Sequence, residues 1–199
     1  MRSGGSAVED QRRQLSTTTS SSSSSPLIKF GIQNQFYLQS KEGEDDDGEV
    51  KKNLDFHYGF CNNNQNVEVY DANTSLAQKW YATKVGITAD DEDIIKLHPV
   101  KCGGTKTLDV YYNRCGSTSK RSNPNIQIYD DNNSGAQEFV VVNPIDHYVA
   151  FKKANCDDNS YLQIEVLGTN VLLKEFDDCN EDHCMPELHD NHLWTIKYV

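Results

Sequence analysis

The stretch Leu54-Asp55-Phe56 recurs as Leu108-Asp109-Val110 and, in worn form, as Leu162-Gln163-Ile164, with the leucines 54 residues apart in both steps. A second triplet keeps pace: Gln78-Lys79-Trp80, Gln137-Glu138-Phe139 and His192-Leu193-Trp194, at spacings of 59 and 55. Between the two, Asn66-Val67-Glu68-Val69-Tyr70-Asp71 is matched by Asn125-Ile126-Gln127-Ile128-Tyr129-Asp130, and Asn170-Val171-Leu172-Leu173 is a third copy. Self-similarity at a fixed period marks a repeat architecture. Three copies predict a closed threefold object rather than an open solenoid.

The units are built from short apolar runs separated by Gly, Asn, Asp and Pro clusters, the pattern of many short strands. Val67–Tyr70, Ile126–Tyr129 and Tyr161–Val166 alternate with period two, which predicts one face on a core and one in solvent. No long segment has helical apolar spacing. Four short strands in each of three units predict an all-β chain, a β-trefoil of about twelve strands whose closed barrel and hairpin cap leave no sheet edge exposed. The core is then expected to take its residues in threes: Leu54, Leu108 and Leu162; Trp80, Phe139 and Trp194; Val69, Ile128 and Leu173.

Residues 1–26 read as a disordered Ser/Thr-rich tail, unbroken Ser/Thr from Ser16 to Ser25, which cannot bury enough apolar area to offset chain entropy. The trefoil domain is expected over 27–199. Two polar runs, Glu42–Glu49 and Gly116–Asn123, read as loop insertions in the first and second units. With 19 Lys and Arg against 30 Asp and Glu, the net charge of −11 argues against nucleic acid or anionic lipid as partner. No apolar run approaches the roughly 18 residues of a membrane span. Met1–Ser25 shows no signal peptide, yet six cysteines in a loop-rich chain point to an oxidising, secreted setting. A form lacking its leader reconciles the two.

A Leu-Asp-Val-type strand, then Asn-Val-x-Val-Tyr-Asp, then Gln-x-Trp, three times over, resembles the ricin B-type lectin family across essentially the whole of 27–199. The resemblance implies a β-trefoil that binds galactose-type glycans without catalysing a reaction. It also implies sugar pockets in which the Asp of the Leu-Asp strand accepts hydrogen bonds from two hydroxyls. An aromatic ring on the next strand stacks on the C–H face of the pyranose. Transferred residue by residue, the second unit offers Asp109 as acceptor, Gln127 as polar contact and Tyr129 as platform. The first offers Asp55 and Tyr70, with Glu68 where Gln is preferred. The third, with Gln163 for Asp and no clear aromatic, is expected to be inactive. Gln78 and Gln137 are read as structural braces, together with Trp80, Phe139 and Trp194. Both better copies depart from the family at one point. Ala77 and Ala136 stand where Asn usually precedes the Gln, a loss of about 1–3 kcal/mol if that hydrogen bond contributed.

Other constellations compete for the same residues. Cys61 and Cys115 are repeat equivalents, as are Cys102 and Cys156, so they read as scaffold. Cys102 with Cys115 and Cys156 with Cys179 are candidate bridges within a repeat, among the fifteen connectivities that six cysteines allow. Cys179, Cys184, His189 and His192 have the makings of a tetrahedral zinc site. A disulfide accounts for those cysteines more simply, and His192 occupies the brace position, so no metal or other cofactor is expected. Asp45-Asp46-Asp47-Gly48 and Asp130–Gly135 lack the terminal Glu of a calcium loop. Asn73-Thr74-Ser75 and Asn132-Asn133-Ser134 are N-glycosylation sequons at equivalent points of two units, bordering the expected pockets. No nucleophile motif or phosphate loop stands out. The rival function is a trefoil with decayed sugar sites that binds a protein through its inserted loops.

Overall fold

A computed structural model describes residues 28–41, 52–115, 123–145, 148–156, 160–164, 169–175 and 192–199. The tail 1–26, most of both insertions, and Cys179, Cys184 and His189 lie outside the described residues. Within them the chain forms twelve strands, β1 to β12, joined by turns and short 3-10 segments.

Six strands close a barrel. β1 (Phe36–Ser40) pairs with β4 (Trp80–Ile87), β4 with β5 (Asp93–Pro99), and β5 with β8 (Phe139–Ile145). β8 pairs with β9 (Tyr148–Lys153), β9 with β12 (Trp194–Tyr198), and β12 returns to β1. Every pairing is antiparallel, and the ring leaves no barrel strand with an open edge.

The other six strands form three hairpins in one common register. In β2 (Lys52–Phe56) and β3 (Gln65–Asp71), Leu54 faces Val69. In β6 (Lys106–Val110) and β7 (Ile126–Asp130), Leu108 faces Ile128. In β10 (Ser160–Ile164) and β11 (Val171–Glu175), Leu162 faces Leu173. Because side chains alternate along a strand, a slip of one residue would turn the leucine out and the neighbouring polar residue in. All nine residues of the three core triads are at most 1 % exposed. This is a β-trefoil, and each repeat is two barrel strands around a hairpin.

Contacts among the hairpins close the cap. β3 pairs with β7, and bridges join Glu68 to Asn170 and Asn125 to Leu172. At their meeting point the amides of Asn66, Asn125 and Asn170 form a ring. Asn66 donates to Asn170 (2.9 Å), Asn170 to Asn125 (3.0 Å) and Asn125 to Asn66 (2.7 Å). Within the ring each amide donates once and accepts once, and Asn125 Nδ2 also donates to the Ile126 carbonyl (3.1 Å), so three polar groups are satisfied where an apolar plug would otherwise be needed.

The disulfides correct an expectation. Bonds join Cys61 to Cys102 and Cys115 to Cys156, with Cα atoms 5.6 Å apart in both. Cys102–Cys115 does not form, because the two sit at opposite ends of β6, and Cys156, bonded to Cys115, is not free for the expected Cys156–Cys179 bridge. Strand β6 alone, five residues long, spans about 17 Å. Each bond instead ties the turn after a hairpin's first strand to the turn that precedes the next repeat's hairpin.

Candidate functional site

Outside the core, the hairpins of the first two repeats build the same concavity twice. Strand β2 carries Asp55 beyond the buried Leu54, and β3 sets Glu68 directly opposite it. β6 and β7 do the same with Asp109 and Gln127. After each Asp strand comes a 3-10 turn, His57–Gly59 in one copy and Tyr111–Asn113 in the other. Within these turns Tyr58 (φ 54°) and Tyr112 (φ 58°) take the left-handed backbone conformation. A bulky aromatic pays a steric cost of roughly 1–3 kcal/mol there, and such residues cluster at binding and active sites. The conformation turns both rings outward, leaving them 77 % and 69 % exposed.

The first site is a cavity of about 550 Å³, with Asp55, His57, Tyr58, Glu68 and Tyr70 among its lining residues, and Asn73, Ser75 and Ala77 on its rim. The second, about 380 Å³, places Asp109, Tyr111, Tyr112, Gln127 and Tyr129 with Asn132, Ser134 and Ala136. Asp55, Tyr70, Asp109, Gln127 and Tyr129 are thus brought together in two groups, one per repeat. Tyr70 is exposed and Tyr129 half-buried at the two pocket walls. Gln163, the third-repeat counterpart of the aspartates, pairs through its backbone with Leu172.

Burial raises the pKa of both aspartates. For Asp55 the loss of solvation outweighs the Gln78 hydrogen bond, and the Glu68 charge adds to the rise. For Asp109 it outweighs hydrogen bonds from Gln127 and Gln137 and the attraction of Lys153. Gln127 Nε2 donates to Asp109 Oδ1 at 2.9 Å. In the first site Glu68 accepts no such role and pairs with His57 Nδ1 at 2.8 Å. A carboxylate beside flat aromatic faces is suited to a polyhydroxylated ring: its oxygens take hydroxyl protons while C–H groups lie on the ring face.

The glutamines stand behind these walls. Gln78 Nε2 donates to the Asp71 carbonyl (3.0 Å), and its Oε1 accepts from Asn53 (2.8 Å) and the Asn73 backbone N–H (2.9 Å). Gln137 repeats this with the Asp130 carbonyl (2.8 Å) and the Asn132 N–H (3.1 Å). Each therefore holds the loop that carries the sequon. That loop is closed by an Asx turn, with Asn73 accepting from the Ser75 N–H (2.8 Å) and Asn132 from the Ser134 N–H (3.0 Å). Trp80 donates to the Leu54 carbonyl at 3.0 Å, fixing the strand that presents Asp55. His192, at the third brace position, is fully buried.

Sequence reasoning missed the turn tyrosines and a residue arriving from outside the repeat. Tyr58 and Tyr112 stand 54 apart, in step with Leu54 and Leu108, and that offset was the available signal. Lys101, next to Cys102 in the following repeat, reaches the first site. Gly59 (φ 63°) makes room for it, since a Cβ there would fall 2.6 Å from Lys101 Nζ. The disulfide Cys61–Cys102 thus staples two walls of one pocket. Among the described residues no group of three or more metal-ligating side chains gathers, and no helix is long and apolar enough to cross a membrane.

No protein-family model and no curated protein sequence matches the chain. Solved structures do. A designed threefold symmetric protein, ThreeFoil, superposes with a TM-score of 0.63 at 21 % identity, over 83 % of this chain and 99 % of that one. An exo-β-1,3-galactanase from Clostridium thermocellum gives 0.62 at 20 % identity, over 86 % of this chain but only 31 % of the galactanase. The Rhizoctonia solani agglutinin gives 0.58 at 15 % identity, over 83 % and 95 %. At these identities the likeness is one of fold, and that fold is the β-trefoil.

Proposed function

We propose that this chain is a non-enzymatic lectin module that binds galactose-type glycans at two shallow sites. Asp109, with Gln127 and Tyr129, forms one; Asp55 and Tyr70 form the other. The observation that carries the reading is the repetition itself. A buried carboxylate, a strand tyrosine, an outward-turned tyrosine and an Asn/Ser rim recur at equivalent positions of two repeats. Packing requires the leucines and tryptophans of the repeat, but it does not require exposed tyrosines on unfavourable backbone. The agglutinin among the structural neighbours supports the same reading. Two disulfides support a secreted protein, as they persist in oxidising compartments. The net charge of −11 favours a glycan over nucleic acid or anionic lipid.

A glycan array probed with the full chain tests this, with Asp109→Ala and Asp55→Ala in parallel. Binding to galactose-terminated glycans that each variant reduces and the double variant loses is the expected result. A blank array with folded, oxidised protein overturns it and leaves the protein-binding scaffold as the better account.

A further inference from the structure

The two sites match at their floors and differ at one edge. Residue 60 of the first repeat and residue 114 of the second are equivalent, one place before Cys61 and Cys115. In the first site this position is Phe60, 58 % exposed, its ring 6.2 Å from that of Tyr58. In the second it is Arg114, whose guanidinium carbon lies over the Tyr112 ring at 5.4 Å. Tyr112 itself packs on Tyr111, with centroids 4.0 Å apart. The shelf leading out of the first pocket is therefore apolar, and the shelf leading out of the second ends in a cation.

The surrounding charge follows the same division. The first site holds two carboxylates, Asp55 and Glu68, beside His57 and Lys101. The second has Gln127 in place of Glu68 and Tyr111 in place of His57, so Asp109 is its single acidic lining residue. Arg114 forms no hydrogen bond or ion pair among the described residues. A guanidinium resting against an aromatic face, with no carboxylate partner, keeps donors available for an oxyanion.

Resting on the lectin reading, we infer that the second site selects glycans bearing a carboxylate or sulfate next to the sugar held by Asp109, with Arg114 as the specificity-determining residue. The first site, with Phe60, takes the neutral counterpart.

The test uses the full chain with Asp55→Ala, so that only the second site reports. Lactose, a sulfated lactose and a glucuronyl-galactose disaccharide are titrated calorimetrically at low and high salt. One or both anionic sugars are expected to bind about three- to fivefold more tightly than lactose at low salt, the size of an exposed ion pair. The preference should shrink at high salt and vanish in Arg114→Phe, with lactose affinity kept. In the converse variant, Phe60→Arg with Asp109→Ala, the first site should gain it. Which anionic sugar responds distinguishes sulfate from carboxylate. Equal binding of all three sugars, or a preference that survives Arg114→Phe, overturns this inference while the lectin reading stands. No binding of any of them overturns both.

Discussion

Asp109 illustrates how a residue proposed to bind sugar works against the stability of the fold that carries it. Its carboxyl is buried enough that desolvation raises its pKa above the unfolded value despite two hydrogen bonds. The native state therefore binds the proton more readily than the unfolded chain, and stability falls as pH rises through the raised pKa. Asp109→Asn should melt at a temperature equal to or above wild type at pH 7 in differential scanning calorimetry, and the difference should close in acid. The same variant should lose glycan affinity at least about tenfold, since a charge-assisted acceptor is removed. A melting temperature several degrees lower would show the carboxylate to be a structural brace. Glycan binding by the wild type should weaken on acidification at a higher pH than an ordinary aspartate would dictate. Tyr112 makes a parallel case: Tyr112→Gly relieves left-handed strain, so it should hold or raise stability by up to about 1 kcal/mol while weakening sugar binding. The aspartates and strand tyrosines could be read from the sequence because they sit in the repeated strands. The turn tyrosines were harder, since nothing in Tyr58 or Tyr112 announces a conformation that glycine or asparagine usually takes.

At the scale of elements, the two disulfides link consecutive repeats, each closing a loop with a sequence separation of 41. Loop-closure entropy for that length is worth about 4 kcal/mol per bond in the chain-entropy account. Reductant should lower the melting temperature strongly. The double variant Cys115→Ser/Cys156→Ser should weaken the second site more than the first, read by glycan titration of Asp55→Ala and Asp109→Ala backgrounds. Equal loss at both sites would mean that the bonds serve global stability alone. The common offset of the four cysteines was visible in the sequence, yet the pairing was not. Which cysteines meet depends on where β6 ends and the next repeat begins, a tertiary fact. Lys101 was missed for the same reason, because it reaches the first pocket across the Cys61–Cys102 bond.

For the whole molecule, threefold closure is the organising fact. It was legible because burial at each layer demands apolar residues in sets of three, and the sequence supplies leucine, aromatic and aliphatic triads in the same order along each unit. Leu108→Ala should cost about 2–5 kcal/mol in chemical denaturation, as for other fully buried leucines. The asparagine ring at the cap makes a subtler prediction. Asn125→Ala breaks two of its three hydrogen bonds and should cost about 1–3 kcal/mol. Replacing Asn66 and Asn170 as well should add much less than twice that again, since the ring acts as a unit. Closure also explains why the proposed sites lie on the hairpins: the barrel fixes their spacing, and their outer faces are left free to vary from repeat to repeat. The most direct measurement is an amide and tyrosine-ring NMR titration of the full chain with galactose. Two separate groups of shifts are predicted, one around Asp55, Tyr58 and Tyr70 and one around Asp109, Tyr112 and Tyr129, each abolished by its own Asp→Ala variant. Shifts elsewhere in the trefoil, or none in protein shown to be folded and oxidised, would contradict the account.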